Sequence, residues 1–225
     1  MDWLKAERDE TGEGFYCNRS VIKDAHDDGE MVALIENDVP VAFIAYGLTR
    51  NGILEVRPDR RGLGYGKALA QAALQREIDD DRRCILDIEC APETSIPFWE
   101  KFGFRIYAER YAYKVLPKTL ELPGSGVGVD VTISLYRDPD QHYPSTSTPH
   151  AVFKPKAIRT ENGDIYLSHR VVFENIADPS RRDPVGRITV DGRDVFFNKV
   201  KYEEAYQLGI RRDRDSNFFV DRLYL

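Results

Sequence analysis

Three glycines fall within five residues in Arg61-Gly62-Leu63-Gly64-Tyr65-Gly66-Lys67, directly after a short apolar run and before a stretch rich in helix formers. Without side chains in the way, backbone amides can face inward there, and a helix start adds its partial positive charge. That combination is an anion cradle, with a pyrophosphate as its natural occupant. A phosphate loop of the form G-x-x-x-x-G-K-[ST] is absent, and G-x-G-x-x-G fails because Gly62-Leu63-Gly64 runs on into Tyr65-Gly66-Lys67. Nucleotide hydrolysis and dinucleotide binding therefore lose their usual sequence support.

Carboxylates in apolar strands form the second chemical feature. Glu55 interrupts Ile53-Leu54-Glu55-Val56 just before the cradle, and Asp87 and Glu89 share one face of the run Cys84–Ala91 by the two-residue period of a strand. A partly desolvated carboxylate has its proton affinity raised toward the range useful for a general base. Glu55 is the first candidate and Glu89 the second, against the simpler alternative of a solvated strand face. Tyr107, Tyr111 and Tyr113 are candidate proton donors, with Tyr107 placed first. Cys84 and Cys90 read as packed thiols in an apolar strand. His26, His142, His150 and His169 are scattered, without metal-ligand spacing, so no metal is expected.

These residues need elements to position them. Met31–Glu36 and Val39–Gly47 are apolar runs around the turn Asn37-Asp38, which predicts a hairpin, and Ile53–Val56 is a third strand ended by Pro58. Gly64–Asp79 is the clearest helix, with Leu69, Ala70, Ala73, Leu74 and Ile78 on one side. A strand at Ile85–Cys90, a short helix at Thr94–Phe102 closed by Gly103, and a strand at Tyr111–Leu116 follow. The order strand, helix, strand, helix predicts an α/β (α+β) arrangement with a mixed sheet and a parallel crossover. After Pro123 the chain turns β-rich. Val127, Val129, Val131, Ile133 and Leu135 alternate strictly, and Val185–Val190 and Val195–Val200 flank the hairpin signal Asp191-Gly192. The expected division is 1–122 and 123–225, the latter a smaller β-rich domain; if Val127–Tyr136 closed the first sheet, the second domain would begin after Arg137.

The glycine-rich segment resembles the acetyl-CoA signature R/Q-x-x-G-x-G/A of the GNAT acetyltransferase superfamily, as Arg61-Gly62-Leu63-Gly64-Tyr65-Gly66 introduced by Val56-Arg57-Pro58. Ser95-Ile96-Pro97-Phe98-Trp99-Glu100-Lys101-Phe102-Gly103-Phe104 is similar to a second landmark, A-x-x-F-Y-E-K-x-G-F, which flanks the thiol end of the cofactor. The resemblance covers about Met31–Leu116. It implies acetyl-CoA as cosubstrate, lying in a splay between Ile53–Val56 and Ile85–Cys90. Backbone at Leu54 and Val56 would pair with the pantetheine arm. Amides of Arg61, Gly62, Leu63, Gly64, Tyr65, Gly66 and Lys67 would hold the pyrophosphate, with Arg61 and Lys67 side chains as counter-charges, and Phe98 and Trp99 would lie near the thiol. It further implies direct attack of a primary amine on the thioester, with a backbone amide near Val56 meeting the oxyanion. Two departures stand out. Only about thirty residues precede Met31, and Asn18–Asp28 is polar, so the strand and two helices that usually open the fold and build the acceptor side are not expected intact. Trp99 occupies the place where many members have a tyrosine, and an indole cannot act as an acid at neutral pH.

The 225 residues are 42% hydrophobic and 31% charged, an ordinary folded composition, with a net charge of −6 concentrated before Pro117. That balance disfavours nucleic acid as a partner, and Arg211, Arg212 and Arg214 read as a solvated charged turn. No apolar run is long enough to cross a bilayer, no secretory leader is evident at the start, and three cysteines show no disulfide or zinc pattern, so a cytoplasmic location without a membrane partner is expected. The amine acceptor, small molecule or protein, is not specified. The β-rich region suits acceptor recognition or oligomerisation, a homodimer included; Tyr143, Phe153, Phe196 and Phe197 are its candidate site aromatics, against core packing. The alternative function is a non-catalytic acetyl-CoA-binding regulatory or interaction module.

Overall fold

The structure, a computed structural model, describes residues 2–136, 148–174, 176 and 183–225. It divides into two units, one comprising Met1–Asp80 and Leu86–Lys114, the other Asp81–Ile85 and Val115–Leu225.

The first unit begins with two helices, α1 (Asp2–Thr11) and α2 (Arg19–Asp27), joined by a 3₁₀ turn at Phe15–Asn18. Two helices are therefore present before Met31, contrary to the expectation from the polar N-terminal segment; among the described residues no strand precedes them. The polarity belongs to their solvated faces. Leu4 of α1 and Ile22 and Ala25 of α2 are buried against Phe43, Ala45 and Ile53, so a narrow apolar stripe suffices for short helices lying on a sheet.

That sheet is an antiparallel meander of β1 (Met31–Glu36), β2 (Val39–Ala45) and β3 (Ile53–Val56). Asn37 and Asp38 close the β1–β2 hairpin at φ 50° and 61°, a pair of left-handed residues that Asn and Asp tolerate well. Phe43 lies opposite Glu55, and Ala45 opposite Ile53, which puts Glu55 on the sheet face that α1 and α2 cover. Helix α3 (Tyr65–Asp80) buries Leu69 and Ala70 and packs with β2 and β3. A second sheet has the order β4 (Ile85–Glu89), β6 (Tyr111–Val115), β5 (Arg105–Ala108). Helix α4 (Ile96–Glu100) lies between β4 and β5 in the chain. The expected parallel ladder across the α3 crossover is absent: β3 and β4 lie in separate sheets, and each pairs on an antiparallel neighbour instead.

In the second unit an eight-stranded sheet has the order β12, β11, β7, β9, β10, β14, β13, with β8 also on β7. These are β7 (Val127–Tyr136), β8 (Ala151–Phe153), β9 (Lys156–Arg159), β10 (Ile165–Phe173), β11 (Val185–Val190), β12 (Arg193–Lys199), β13 (Ile210–Arg212) and β14 (Phe218–Leu223). Val127–Tyr136 thus belongs to this sheet. Its alternation is realised from Val131 onward, where Val131, Ile133 and Leu135 enter a core with Ile165, Leu167, Ile188 and Val220; Val127 is exposed. Asp191 and Gly192 make the β11–β12 turn at φ 50° and 76°. Helix α5 (Glu203–Leu208) covers the core with Ala205 and Leu208. Arg170, nearly enclosed, is held by both oxygens of Asp221 at 2.8 and 2.7 Å and by Asp81 at 2.8 Å.

Phe196 is core, Phe153 packs against it, and Phe197 meets Tyr136 edge-on at 5.6 Å, so these aromatics are structural. Arg211 donates to the Tyr206 carbonyl at 2.5 Å and Arg212 lies 4.6 Å over Phe218, giving both local partners. Tyr143 and His142 lie outside the described residues. No helix among the described residues is long and apolar enough to cross a membrane.

Candidate active site

Leaving β3, the chain makes a 3₁₀ turn at Pro58–Arg60, passes through Gly62 and Gly64, and enters α3 at Tyr65. Gly62 and Gly64 adopt φ 79° and 91°, values that L side chains rarely take, and a Cβ on either would meet nothing within 4 Å among the described residues. The loop therefore faces open space with its amides at the head of a four-turn helix. Gly66 serves a different need: a Cβ there would stand 3.3 Å from Val56 Cγ2 and 3.7 Å from Leu54 Cδ2, so its absence lets α3 close on β3. Leu54 and Val56 are half-buried beneath that turn. Tyr65 is anchored through its hydroxyl to Glu36 at 2.7 Å, and Arg60 reaches the other oxygen of Glu36 at 2.8 Å, pinning the loop to the β1–β2 hairpin. The Tyr65 hydrogen bond holds the Glu36 carboxyl below its usual range. Lys67 and Leu63 are exposed.

Glu55 faces the opposite side of β3 from Leu54 and Val56 and is only 7% exposed. Burial raises its proton affinity, offset in part by the Arg61 guanidinium. Its Oε1 accepts from Arg61 Nη2 at 2.9 Å and from the Val56 amide at 3.0 Å. The same Nη2 reaches Glu7 Oε1 at 2.5 Å, and Arg61 Nε donates to the Val56 carbonyl at 3.0 Å. The Arg61 side chain is thus directed at two carboxylates, and the Val56 amide expected to meet an oxyanion is engaged by Glu55. Glu7 escaped the sequence analysis. Its signal was a charged residue three positions after Leu4 on the buried stripe of α1.

Elsewhere in the unit, Tyr107 donates to Asp87 Oδ1 at 3.0 Å and accepts from Arg50 Nη2 at 2.5 Å, while Arg50 Nε reaches Asp87 Oδ2 at 2.5 Å. Desolvation and then the Asp87 charge raise the Tyr107 pKa, which makes the hydroxyl a weaker acid than an ordinary tyrosine. Glu89 is paired with Arg110 at 2.8 Å. The structure brings together Glu55, Arg61 and the cradle; Tyr107 and Glu89 have partners of their own.

Residues 2–104 match the acetyltransferase (GNAT) family. This segment is a GNAT acetyltransferase domain. A crystal structure of Ard1 from Thermoplasma volcanium is similar at 18% identity, covering 51% of this chain and 92% of that one, with a TM-score of 0.38. No curated protein matches.

Members of the family transfer an acetyl group from acetyl-CoA, and the GNAT domain here has a fitting place for the pyrophosphate in the open, left-handed glycines at the head of α3. The backbone of Leu54 and Val56 and the amides from Arg61 to Lys67 are the groups available to hold it. Of the aromatic landmark, Phe98 is half-buried, whereas Trp99 is enclosed by Phe98 at 4.9 Å and Phe104 at 5.5 Å between ring centroids. Trp99 is therefore a packing residue of the GNAT domain. Cys90 is buried and its thiol is pushed up to about 11 by desolvation, which leaves it inert at neutral pH. Cys84, in the second unit, donates to Asp213 at 3.2 Å and is likewise pushed upward. Among the described residues no group of three or more His, Cys, Asp or Glu is arranged to hold a metal.

Proposed function

We propose that the protein is an N-acetyltransferase that moves the acetyl group of acetyl-CoA to a primary amine by direct attack within a ternary complex. Acetyl-CoA supplies the activated thioester carbonyl. The observation that carries this reading is the position of Glu55: a buried carboxylate with raised proton affinity, next to last in the strand that leads into the cradle, on the sheet face covered by α1 and α2.

An aliphatic ammonium, with a pKa of about 10, must lose a proton before it attacks, and Glu55 takes that proton directly or through water. As the C–N bond forms and the C–S bond breaks, the nitrogen sheds two protons in all; one ends on the departing thiolate and one goes to solvent. A thiol of pKa about 8.5 is already a fair leaving group near neutrality, so the pairing of Tyr107 with Asp87 does not block the reaction. Tyr65, Arg60 and Glu36 fix the cradle loop, and Gly66 sets its distance from β3.

Thiol release from acetyl-CoA in the presence of an amine panel tests the proposal. Wild type is expected to release thiol with at least one amine, Glu55→Gln to lose at least about a hundredfold of that rate while still binding the cofactor, and Gly64→Glu to lose cofactor binding. Binding without release from any amine would point instead to a non-catalytic cofactor-binding module.

A further inference from the structure

The charges around Arg61 are unevenly distributed. Its Nη2 serves Glu7 and Glu55 together, and the side chains of these carboxylates are 5% and 9% exposed, whereas that of Arg61 is 49% exposed. Glu7 Oε2 is buried and has no hydrogen-bond partner among the described residues, and it lies near Gly14, where a Cβ would come within 3.2 Å of it. Two enclosed carboxylates thus depend on one half-exposed cation. Arg61 is also the first residue of the cradle, so its side chain can answer to two sets of negative charge: the carboxylates it now holds, and a pyrophosphate against the neighbouring amides.

We propose that Glu7 is a positioning residue of the transfer reaction, holding Arg61 on the Glu55 side of β3 so that cofactor phosphate and base compete for one guanidinium. The inference rests on the cradle being the cofactor site. Its consequences follow from linkage. Whatever free energy Glu7 contributes to retaining Arg61 is withheld from cofactor binding, and by reciprocity bound phosphate loosens Arg61 from Glu55. Glu55 then faces the Glu7 carboxylate with less compensation from Arg61, and a neighbouring like charge makes Glu55 hold its proton more strongly. The base is strengthened when the thioester is in place. The charged groups that face Glu55 in this network are Arg61 from the loop and Glu7 from α1, with the Val56 amide as the remaining donor.

The test is calorimetric titration of Glu7→Gln with coenzyme A and with pantetheine, which lacks the pyrophosphate. Freeing Arg61 is expected to tighten coenzyme A about three- to tenfold, within the usual span of coupling between sites, and to leave pantetheine unchanged. Adding Arg61→Gln to Glu7→Gln should cancel the gain. A structural role for Glu7 would instead weaken both ligands. If Glu7→Gln does not fold, Glu7→Asp, which keeps the charge but shortens its reach, is read the same way. Unchanged or weaker coenzyme A binding in a cooperatively melting variant, with wild type binding normally, overturns this inference alone; wild type that binds no coenzyme A at millimolar concentration overturns the cofactor reading and this inference with it.

Discussion

Gly64→Ala separates the two things that the cradle glycine does. Gly64 has φ 91° and no atom of the described residues within 4 Å of a would-be Cβ, so the substitution introduces no clash with them and its stability cost is that of a left-handed L residue. That cost is about 1–2 kcal/mol, and a unit of roughly a hundred residues loses about 4–8 °C of melting temperature for each kcal/mol. The methyl also projects into the open space assigned to the phosphate, so coenzyme A affinity should fall at least about tenfold, or about 1.4 kcal/mol. Gly29→Ala supplies the control: Gly29, at the end of α2, has φ 72° and equally open surroundings but no place in the cradle. Differential scanning calorimetry and binding titration on both variants should show similar melting losses and a loss of affinity in Gly64→Ala only. Wild-type affinity in Gly64→Ala would refute the placement of the phosphate, and an unchanged melting temperature would refute the strain assigned to that φ.

In the second unit, Asp221→Ala strips Arg170 of its two-pronged partner inside an enclosed site, and should cost about 1.5–3 kcal/mol by urea denaturation, because charge-assisted hydrogen bonds are lost and Asp81 alone then compensates the buried guanidinium. Burial raises the pKa of Glu55 above 4.5, so its ionised form is disfavoured in the folded state: the stability it contributes is full below that value and is lost as pH rises through the folded pKa. Transfer activity should rise over the same window, and stability-versus-pH curves of wild type and Glu55→Gln should diverge there with wild type falling; parallel curves would count against a buried, raised Glu55. Iodoacetamide at neutral pH should label Cys17, which is exposed, and spare Cys84 and Cys90, as read by peptide mass mapping.

What could be read in the sequence was what is encoded locally. Asn37-Asp38 and Asp191-Gly192 specify left-handed turns on their own, the residues Leu69 and Ala70 mark the buried side of α3, and the glycines of the cradle carry their conformational requirement in their type. Glu55 could be placed on a face by the two-residue period, though which elements would cover that face could not. The two N-terminal helices were obscured because short amphipathic helices present mostly solvated residues and depend on the sheet for their stability. Glu7 was hidden for a related reason: its partner Arg61 is 54 positions away, and in a mostly polar helix only the three-residue spacing from Leu4 marks it as the carboxylate that turns inward. The separation of β3 from β4 and the recruitment of Asp81–Ile85 to the second unit are likewise products of distant pairing, among them the contact between Asp81 and Arg170.

The proposed reaction of this GNAT domain is acetylation of an amine by acetyl-CoA with Glu55 as base. Mass spectrometry of the acceptor, run beside a free-thiol assay on the same reaction across an amine panel, tests it most directly. One N-acetyl group is expected for each coenzyme A released, with both signals collapsing together in Glu55→Gln; acetyl-CoA binding with no acetylated amine, or full transfer by Glu55→Gln, would overturn the proposed reaction.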